Sequence, residues 1–296
     1  MLLTTHIPRN GISQTVSTLF ISRCGRQFAQ RSHDVNETNA LAENPGRSAS
    51  NRSLLRGADI LRAFKPGSDL LGNNEIAERT GLSNSTVSRL TQTLVAAGLL
   101  QQDRSRRAYR LAPLVLSLAH AMRSGSLVLA AAAPHMRALA EKEHINVGLA
   151  CPDRDEMVYV ESIRYARRIA LRNIVSGQRV PMELTSLGRA YLATVTPAKR
   201  SALDAVFAQR NGKNWPAIQS AIEDALRSVN ERGYCSASWQ PEVVALSTPL
   251  SSPDGVYVLN VSISTKESID SVERDLATKL LRLKAQVAHE IERRHG

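Results

Sequence analysis

Short polar side chains and one arginine are concentrated in residues 83–92, within a segment whose apolar residues recur at helical spacing. The segment reads GLSNSTVSRLTQTL over residues 81–94. Hydroxyl side chains compete with helical backbone hydrogen bonds, so several of them in the first two turns indicate a partner outside the helix. Short polar groups let a helix approach the major groove of DNA and bond phosphates and base edges. The candidate DNA contacts of this helix are Ser85, Thr86, Ser88, Arg89 and Gln92.

Two of these side chains have the geometry to recognise bases. An arginine such as Arg89 forms two hydrogen bonds with guanine, and a glutamine such as Gln92 does the same with adenine. The hydroxyl residues taken alone would favour an ordinary solvated helix face. The segments on either side of this helix weigh against that simpler interpretation.

A basic hairpin is predicted directly after the helix. Residues 99–111 read LLQQDRSRRAYRL, which is typical of two short strands joined by a turn. Arg104 and Arg106 fall at its tip and Arg107 follows, so these arginines are candidates for contacts with phosphates or the minor groove. Arg106 and Arg107 are equally consistent with exposed strand residues.

Two helices are predicted before the polar one. The spacing over 53–64 predicts the first, and NNEIAERTG predicts a short second helix with Gly81 as its C-terminal cap. Ser83 is the predicted N-cap of the third helix. Its predicted apolar stripe consists of Val87, Leu90, Leu94 and Ala97. Three helices followed by a hairpin predict a winged helix-turn-helix over residues 51–112.

Positive charge is densest in this same block. The chain carries 38 Lys and Arg against 27 Asp and Glu, a net charge of +11. Residues 1–50 contribute +2, residues 51–112 contribute +5 and residues 113–296 contribute +4. The block of highest charge density is the expected contact with double-stranded DNA.

The remainder of the chain predicts a mixed α and β domain. Apolar helical segments over 113–125 and 127–144, the second interrupted by Pro134, indicate a linker and a packing surface. Strand-like runs at 146–151, 156–162, 168–175, 243–250 and 256–264 alternate with helical ones near 187–195, 197–210, 215–232 and 268–294. We expect an α+β fold: a disordered tail over 1–50, a linker helix over 113–126, and a domain over 127–296 with one antiparallel sheet covered by helices.

Other functional classes lack their usual motifs. The three cysteines show no metal-binding spacing, and no apolar run reaches the roughly 18 residues of a membrane span. We therefore expect a reduced, cytoplasmic protein with no metal, no cofactor and no membrane partner. No GxSxG, HExxH, P-loop or GxGxxG motif is present, so we expect no enzymatic activity. The alternatives are a DNA-binding fusion to a small-molecule enzyme and a ligand-independent architectural DNA binder.

The chain resembles the IclR family of bacterial transcriptional regulators. The resemblance covers about residues 53–294 and follows the order of motifs in that family. The motifs are STVSRLTQTLVAAGLL (85–100), AYRLAP (108–113), SGQRVPMELTSLGRAYLA (176–193), ERGYCSASWQPEVVALSTPL (231–250) and VLNVSIS (258–264). It implies a winged helix-turn-helix, a dimerising linker helix, and a GAF-like, mixed-sheet effector-binding domain that also forms dimers or tetramers.

The resemblance also implies a site for a small organic acid. Carried over by position, the backbone at Ser186 and Leu187 and the side chains of Ser262 and Ser264 face the effector. Helix-start N–H groups attract a carboxylate, and serines two apart on a strand share a face. The alternative for the two serines is a solvent-facing strand surface. Trp239 is a candidate for the pocket wall or for a core or interface position, and Arg172 is a candidate for the carboxylate or a plain surface residue.

Overall fold

The first three helices form where apolar residues recur at helical spacing. The computed structural model describes residues 51–165, 175–237, 243–265 and 269–295. The predicted tail 1–50, most of the predicted strand 168–175, Arg172 and Trp239 lie outside these residues. The chain divides between Ser117 and Leu118 into two compact units.

The first unit combines three helices with a small sheet. Its helices are α1 (Arg52–Arg62), α2 (Asn73–Thr80) and α3 (Asn84–Ala96), and its strands are β1 (Leu71–Gly72), β2 (Leu100–Asp103) and β3 (Ala108–Leu111). The strand order is β1-β3-β2, and both pairings are antiparallel. The predicted hairpin is therefore present, with a third strand of two residues that the sequence pattern did not reveal.

The apolar face of α3 differs in one position from the predicted stripe. Val87, Leu90 and Leu94 are buried, but Ala97 is exposed at the C-cap. Thr91 is fully buried instead, because its hydroxyl donates to the carbonyl oxygens of Val87 (2.9 Å) and Ser88 (3.1 Å). These hydrogen bonds satisfy the threonine's polar group, so a polar residue outside the predicted apolar stripe fits the core.

Two helices follow the hairpin, α4 (Pro113–Ser124) and α5 (Leu127–Glu143). The prediction that Pro134 interrupts α5 is wrong, because the helix continues through it. Ala131, Ala132, Met136 and Ala140 of α5 are fully buried. Their packing offsets the loss of one backbone hydrogen bond at the proline.

The second unit is built on a six-stranded sheet between two layers of helices. Its strands are β4 (Asn146–Asp153), β5 (Glu156–Ile163), β6 (Arg179–Pro181), β7 (Cys235–Ala237), β8 (Val243–Ser252) and β9 (Gly255–Ser264). The order is β6-β5-β4-β9-β8-β7, and every described pairing is antiparallel. The described strands therefore form the single antiparallel sheet that the sequence pattern predicted.

Helices cover both faces of this sheet. The other α-helices among the described residues are α6 (Ser186–Leu192), α7 (Pro197–Asn211), α8 (Trp215–Arg232) and α9 (Ile269–His295). One face packs with α5 and α9 around Leu149, Leu246 and Val261. The other face packs with α6, α7 and α8 around Met157, Phe207 and Val258.

No single described helix is long and apolar enough to cross a membrane. Pro113–Ser124 and Leu127–Glu143 pass the length and composition test only as a pair, which is bent by 83°. The described residues also contain no cluster of three or more metal-binding side chains.

Candidate nucleic-acid interface and effector cleft

The start of α3 carries a cluster of hydroxyl groups. Ser83 is the N-cap, and its Oγ accepts a hydrogen bond from the N–H of Thr86. The same oxygen lies 2.9 Å from Oγ1 of Thr86 and 3.2 Å from Oγ of Ser85. The hydroxyls of Ser85 and Thr86 thus stabilise the helix start, a local role that the sequence argument did not include.

The exposed side of α3 presents Arg89 and Gln92. Both side chains are exposed, whereas Ser88 is half-buried. Arg89 and Gln92 are three residues apart, so they lie on neighbouring turns of one helix face. This face has the composition and placement of a recognition helix.

The hairpin tip presents Arg104, Arg106 and Arg107, all exposed. Asp103 holds the turn: its Oδ1 accepts from the Ser105 hydroxyl (2.6 Å) and from the Arg106 N–H (3.1 Å). The hydrogen bond from Ser105, followed by that from Arg106, lowers the pKa of Asp103. Arg107 adopts a left-handed conformation with φ of 51°. This role of Asp103 was not predicted from the sequence.

In the second unit, the α6-facing side of the sheet carries a group of polar side chains. Asn260, Ser262 and Ser264 alternate along β9 and therefore share one face. Ser262 is 4% exposed, so the alternative of a solvent-facing surface does not fit it, whereas Ser264 is partly exposed. Asn260 was missed, although its spacing from Ser262 would have identified it.

A chain of hydrogen bonds joins this group to α6. The Oγ of Ser186 lies 2.8 Å from the Oγ of Ser247 on β8, and Nδ2 of Asn260 donates to the same Ser247 oxygen at 3.4 Å. All three residues are buried. The polar group therefore extends from the first residue of α6 across two strands.

The start of α6 is fixed by its neighbours. Thr185 caps the helix by accepting from the N–H of Gly188 at 3.2 Å. The thiol of Cys235 donates to the carbonyl oxygen of Ser186 at 3.4 Å, and burial raises the pKa of Cys235 to about 12. Cys235 is therefore an uncharged, unreactive thiol at neutral pH. The side chain of Leu187 packs in the core, which leaves only its backbone near the polar group.

An arginine that the sequence analysis missed lies beside the same face. Arg164 follows β5, and its Nε donates to Oγ of Ser162 at 2.7 Å. Its Cζ is 5.2 Å from the centre of the Tyr159 ring. Burial raises the pKa of the Tyr159 phenol, so the ring is neutral beside this cation. The position of Arg172 stays a prediction because it lies outside the described residues, as does that of Trp239.

Sheet register brings these residues into one row. Gly148 of β4 pairs with Ser162 on one side and with Asn260 on the other. A Cβ atom at Gly148 would lie 2.6 Å from Cε1 of Tyr159 and 3.5 Å from Oδ1 of Asn260. The ring of Tyr159 therefore lies over Gly148, next to Asn260. A cation, an aromatic ring and several hydrogen-bonding groups thus lie on one face of the sheet, a composition typical of a site for a small polar acid. We call this face, with the start of α6 beside it, the candidate effector cleft.

Two family models match the chain in succession. Residues 53–104 match the IclR helix-turn-helix domain, and residues 120–292 match the model described as bacterial transcriptional regulator IclR C-terminal.

Curated relatives are regulators as well. The HTH-type transcriptional regulator TsaQ1/TsaQ2 of Comamonas testosteroni is 33% identical over 62% of this chain and 66% of its own length. The Pca regulon regulatory protein of Pseudomonas putida is 26% identical over 60% of this chain and 67% of its own length. The matches therefore span about two thirds of these relatives.

Solved structures share the fold. An IclR family transcriptional regulator from Brucella abortus is 32% identical, with a TM-score of 0.75 over 85% of this chain and 96% of its own. An IclR homolog from Microbacterium hydrocarbonoxydans, complexed with 4-hydroxybenzoate, is 19% identical, with a TM-score of 0.61 over 81% of this chain and 99% of its own. The two matched domains, in this order, show that the chain belongs to the IclR family of bacterial transcriptional regulators.

Proposed function

We propose that this regulator binds an operator through α3 and the hairpin tip, and that a small carboxylate bound in the α6-facing cleft changes this binding. In this proposal residues 51–112 bind DNA, 113–126 link the domains, and 127–296 bind the effector and form oligomers. The protein acts in the cytoplasm without an enzymatic reaction. The observation that carries the effector proposal is that Arg164, held by Ser162 of β5, lies on the same face of the sheet as buried hydrogen-bonding groups of β8 and β9.

Arg164 is the residue we assign to the carboxylate. Its guanidinium is a permanent cation with several donors, which matches a planar carboxylate. The Tyr159 ring beneath it and the Ser162 hydroxyl beside it restrict the orientation of its side chain. The Microbacterium relative, whose bound 4-hydroxybenzoate is a small carboxylate, supports the same ligand class. The backbone of Ser186 and Leu187 and the hydroxyls of Ser262 and Ser264 complete the proposed site.

The effector proposal is tested by a thermal-shift screen with small carboxylates, followed by calorimetry. Arg164→Ala should weaken binding of any carboxylate found by about 1.5–3 kcal/mol, the usual worth of a hydrogen bond to a charged group. Arg227→Ala is the control, because Arg227 is an exposed arginine of α8 that pairs with Asp224. Equal affinities in both variants would contradict the role of Arg164.

The DNA proposal is tested at Arg89. Arg89→Ala should weaken binding to the operator by about 1–3 kcal/mol more than binding to random duplex, because only the operator offers the recognised guanine. Mobility-shift assays with upstream intergenic DNA and with random duplex measure the two affinities. Equal losses of binding free energy on the two DNAs would indicate that Arg89 contacts a phosphate and not a base.

The hairpin arginines should affect DNA binding in a different way from Arg89. Replacing Arg104 and Arg106 with Ala should weaken both kinds of binding and lower the salt slope by up to about 0.9 per lost phosphate contact. The matched control replaces Arg227 and Arg293, two exposed arginines of the second unit that pair with acids. If the salt slope changed equally in both double variants, the arginines of the hairpin tip would not contact phosphates.

A further inference from the structure

One buried oxygen in the candidate effector cleft has no hydrogen-bond donor among the described residues. Oδ1 of Asn260 is buried and has no partner within the described part of the chain. Asn260 as a whole is 2% exposed. A buried acceptor without a donor destabilises a protein, so such atoms in native proteins call for an explanation.

The orientation of the Asn260 amide is fixed by its other end. Nδ2 lies 3.2 Å from the carbonyl oxygen of Leu246 and 3.4 Å from that of Val261, and both oxygens only accept. Rotating the amide by half a turn would place Oδ1 against these two acceptors. The donor end must therefore face the carbonyls, which leaves Oδ1 as the end that faces Gly148.

The surroundings of Oδ1 belong to the cleft. Gly148 stands between Asn260 and Ser162 in the sheet register, and Ser162 accepts from Arg164. Gly148 has no side chain to cover the oxygen, and the Tyr159 ring lies beside it. The guanidinium of Arg164, after β5, and the unpartnered Oδ1 of Asn260, on β9, thus lie on the same face of the sheet. Strand β4 separates β5 from β9.

We propose that the effector is a carboxylate carrying a second group, a hydroxyl or an amine, which donates a hydrogen bond to Oδ1 of Asn260. This inference rests on the proposed effector cleft and adds a specificity-determining residue to it. Arg164 holds the carboxylate, and Asn260 selects the donor. A ligand that has only acceptors leaves the oxygen unpartnered and binds more weakly.

The test compares small acids that differ in this one group. The probes are 4-hydroxybenzoate and 4-aminobenzoate, which donate, against benzoate and 4-methoxybenzoate, which do not. Their 3-substituted counterparts, and 3-hydroxybutanoate against butanoate, cover other donor positions. Calorimetry on the full-length protein should show at least one donor-bearing acid binding about tenfold or more tighter than both its unsubstituted and its methylated analogue, as one hydrogen bond provides.

Asn260→Leu removes the acceptor at similar volume. The preference for the donor-bearing acid should fall to within about twofold in this variant, while Asn230→Leu, the same substitution at an exposed position of α8 outside the proposed site, should keep it. The wild-type comparison needs no variant, so poor folding of Asn260→Leu would leave the test intact.

The outcomes separate the two proposals. Carboxylate binding that depends on Arg164 but shows no preference for a donor in any pair would overturn the assignment of Asn260 and keep the effector cleft. A donor preference that survives in well-folded Asn260→Leu would also overturn it. Absence of binding by every acid would overturn both.

Discussion

At the scale of single residues, Gly188 decides how closely α6 packs. A Cβ atom there would lie 2.0 Å from the carbonyl oxygen of Met182 and 2.3 Å from its Cα. Both are backbone atoms, which cannot rotate away as a side chain can. The absence of a side chain therefore lets the start of α6, with Ser186, approach the sheet.

We expect Gly188→Ala to destabilise the second unit by about 3 kcal/mol or more, because the helix must move away from residue 182 and break the contacts at its start. Urea unfolding followed by circular dichroism measures the change. Gly125→Ala is the control, since its Cβ would come no closer than 3.4 Å to another atom. Equal stability of the two variants would contradict the packing argument.

At the scale of elements, an ion pair attaches the linker helix to the sheet. Arg123 of α4 donates to Glu161 of β5 at 2.7 Å and also to the carbonyl oxygen of Val160. Glu161 accepts further hydrogen bonds from the N–H of Ser162 (2.9 Å) and the hydroxyl of Ser176 (3.1 Å). Ser162 also holds Arg164, so the same strand segment contacts the linker helix and the cleft.

The contribution of the Arg123–Glu161 ion pair to stability depends on pH. Burial alone would raise the pKa of Glu161, but the hydrogen bonds from Ser162, Arg123 and Ser176 outweigh it and lower the pKa below its ordinary value of 4.5. A carboxyl whose pKa is lowered by folding stabilises the fold above that ordinary value. The contribution is lost as the pH falls through the lowered pKa.

We therefore expect Glu161→Gln to destabilise the second unit by about 1–2 kcal/mol at pH 7 and equally at pH 6. The difference in free energy of unfolding between variant and wild type should become smaller below about pH 4.5. There the wild-type carboxyl becomes protonated first in the unfolded chain and, at lower pH, in the folded chain. Urea unfolding of both proteins at pH 7, 6, 4 and 3 measures it. A difference independent of pH would show that the charge of Glu161 contributes nothing.

At the scale of the whole molecule, α4 presents apolar side chains that the described part of the chain does not bury. None of its residues is buried. Leu114, Leu118 and Met122 recur every four residues along one side, with Leu118 54% and Met122 58% exposed. A continuous exposed apolar stripe on a helix favours association with a second copy.

We predict that the protein is at least a dimer through this stripe and recognises paired half-sites on DNA, since one winged helix covers only a short site. Leu118→Glu should shift sedimentation toward the monomer. Leu116→Glu is the matched control, because Leu116 is 75% exposed but lies about 200° around the helix from the stripe. A wild-type monomer at micromolar concentration, free and on DNA, would contradict the prediction.

The sequence by itself determined the elements whose signals are local. Helical spacing and capping residues such as Ser83 and Gly81 identified the helices of the first unit, and alternation identified β8 and β9 to within two residues. Such patterns repeat within a few residues and do not depend on distant parts of the chain. The order of motifs along the chain also sufficed to identify the family.

The tertiary structure decided what depends on contacts between distant residues. The strands β1, β6 and β7 have only two or three residues, too few for a periodic signal, and pairing with neighbours defines them. Thr91 and Pro134 are accommodated by hydrogen bonding and packing, which local propensity does not contain. The cleft is the clearest case, because antiparallel register places Gly148 between Ser162 and Asn260. Ser162 and Asn260, about one hundred positions apart in the sequence, thereby lie on one face. No periodicity along the chain predicts that they lie close together.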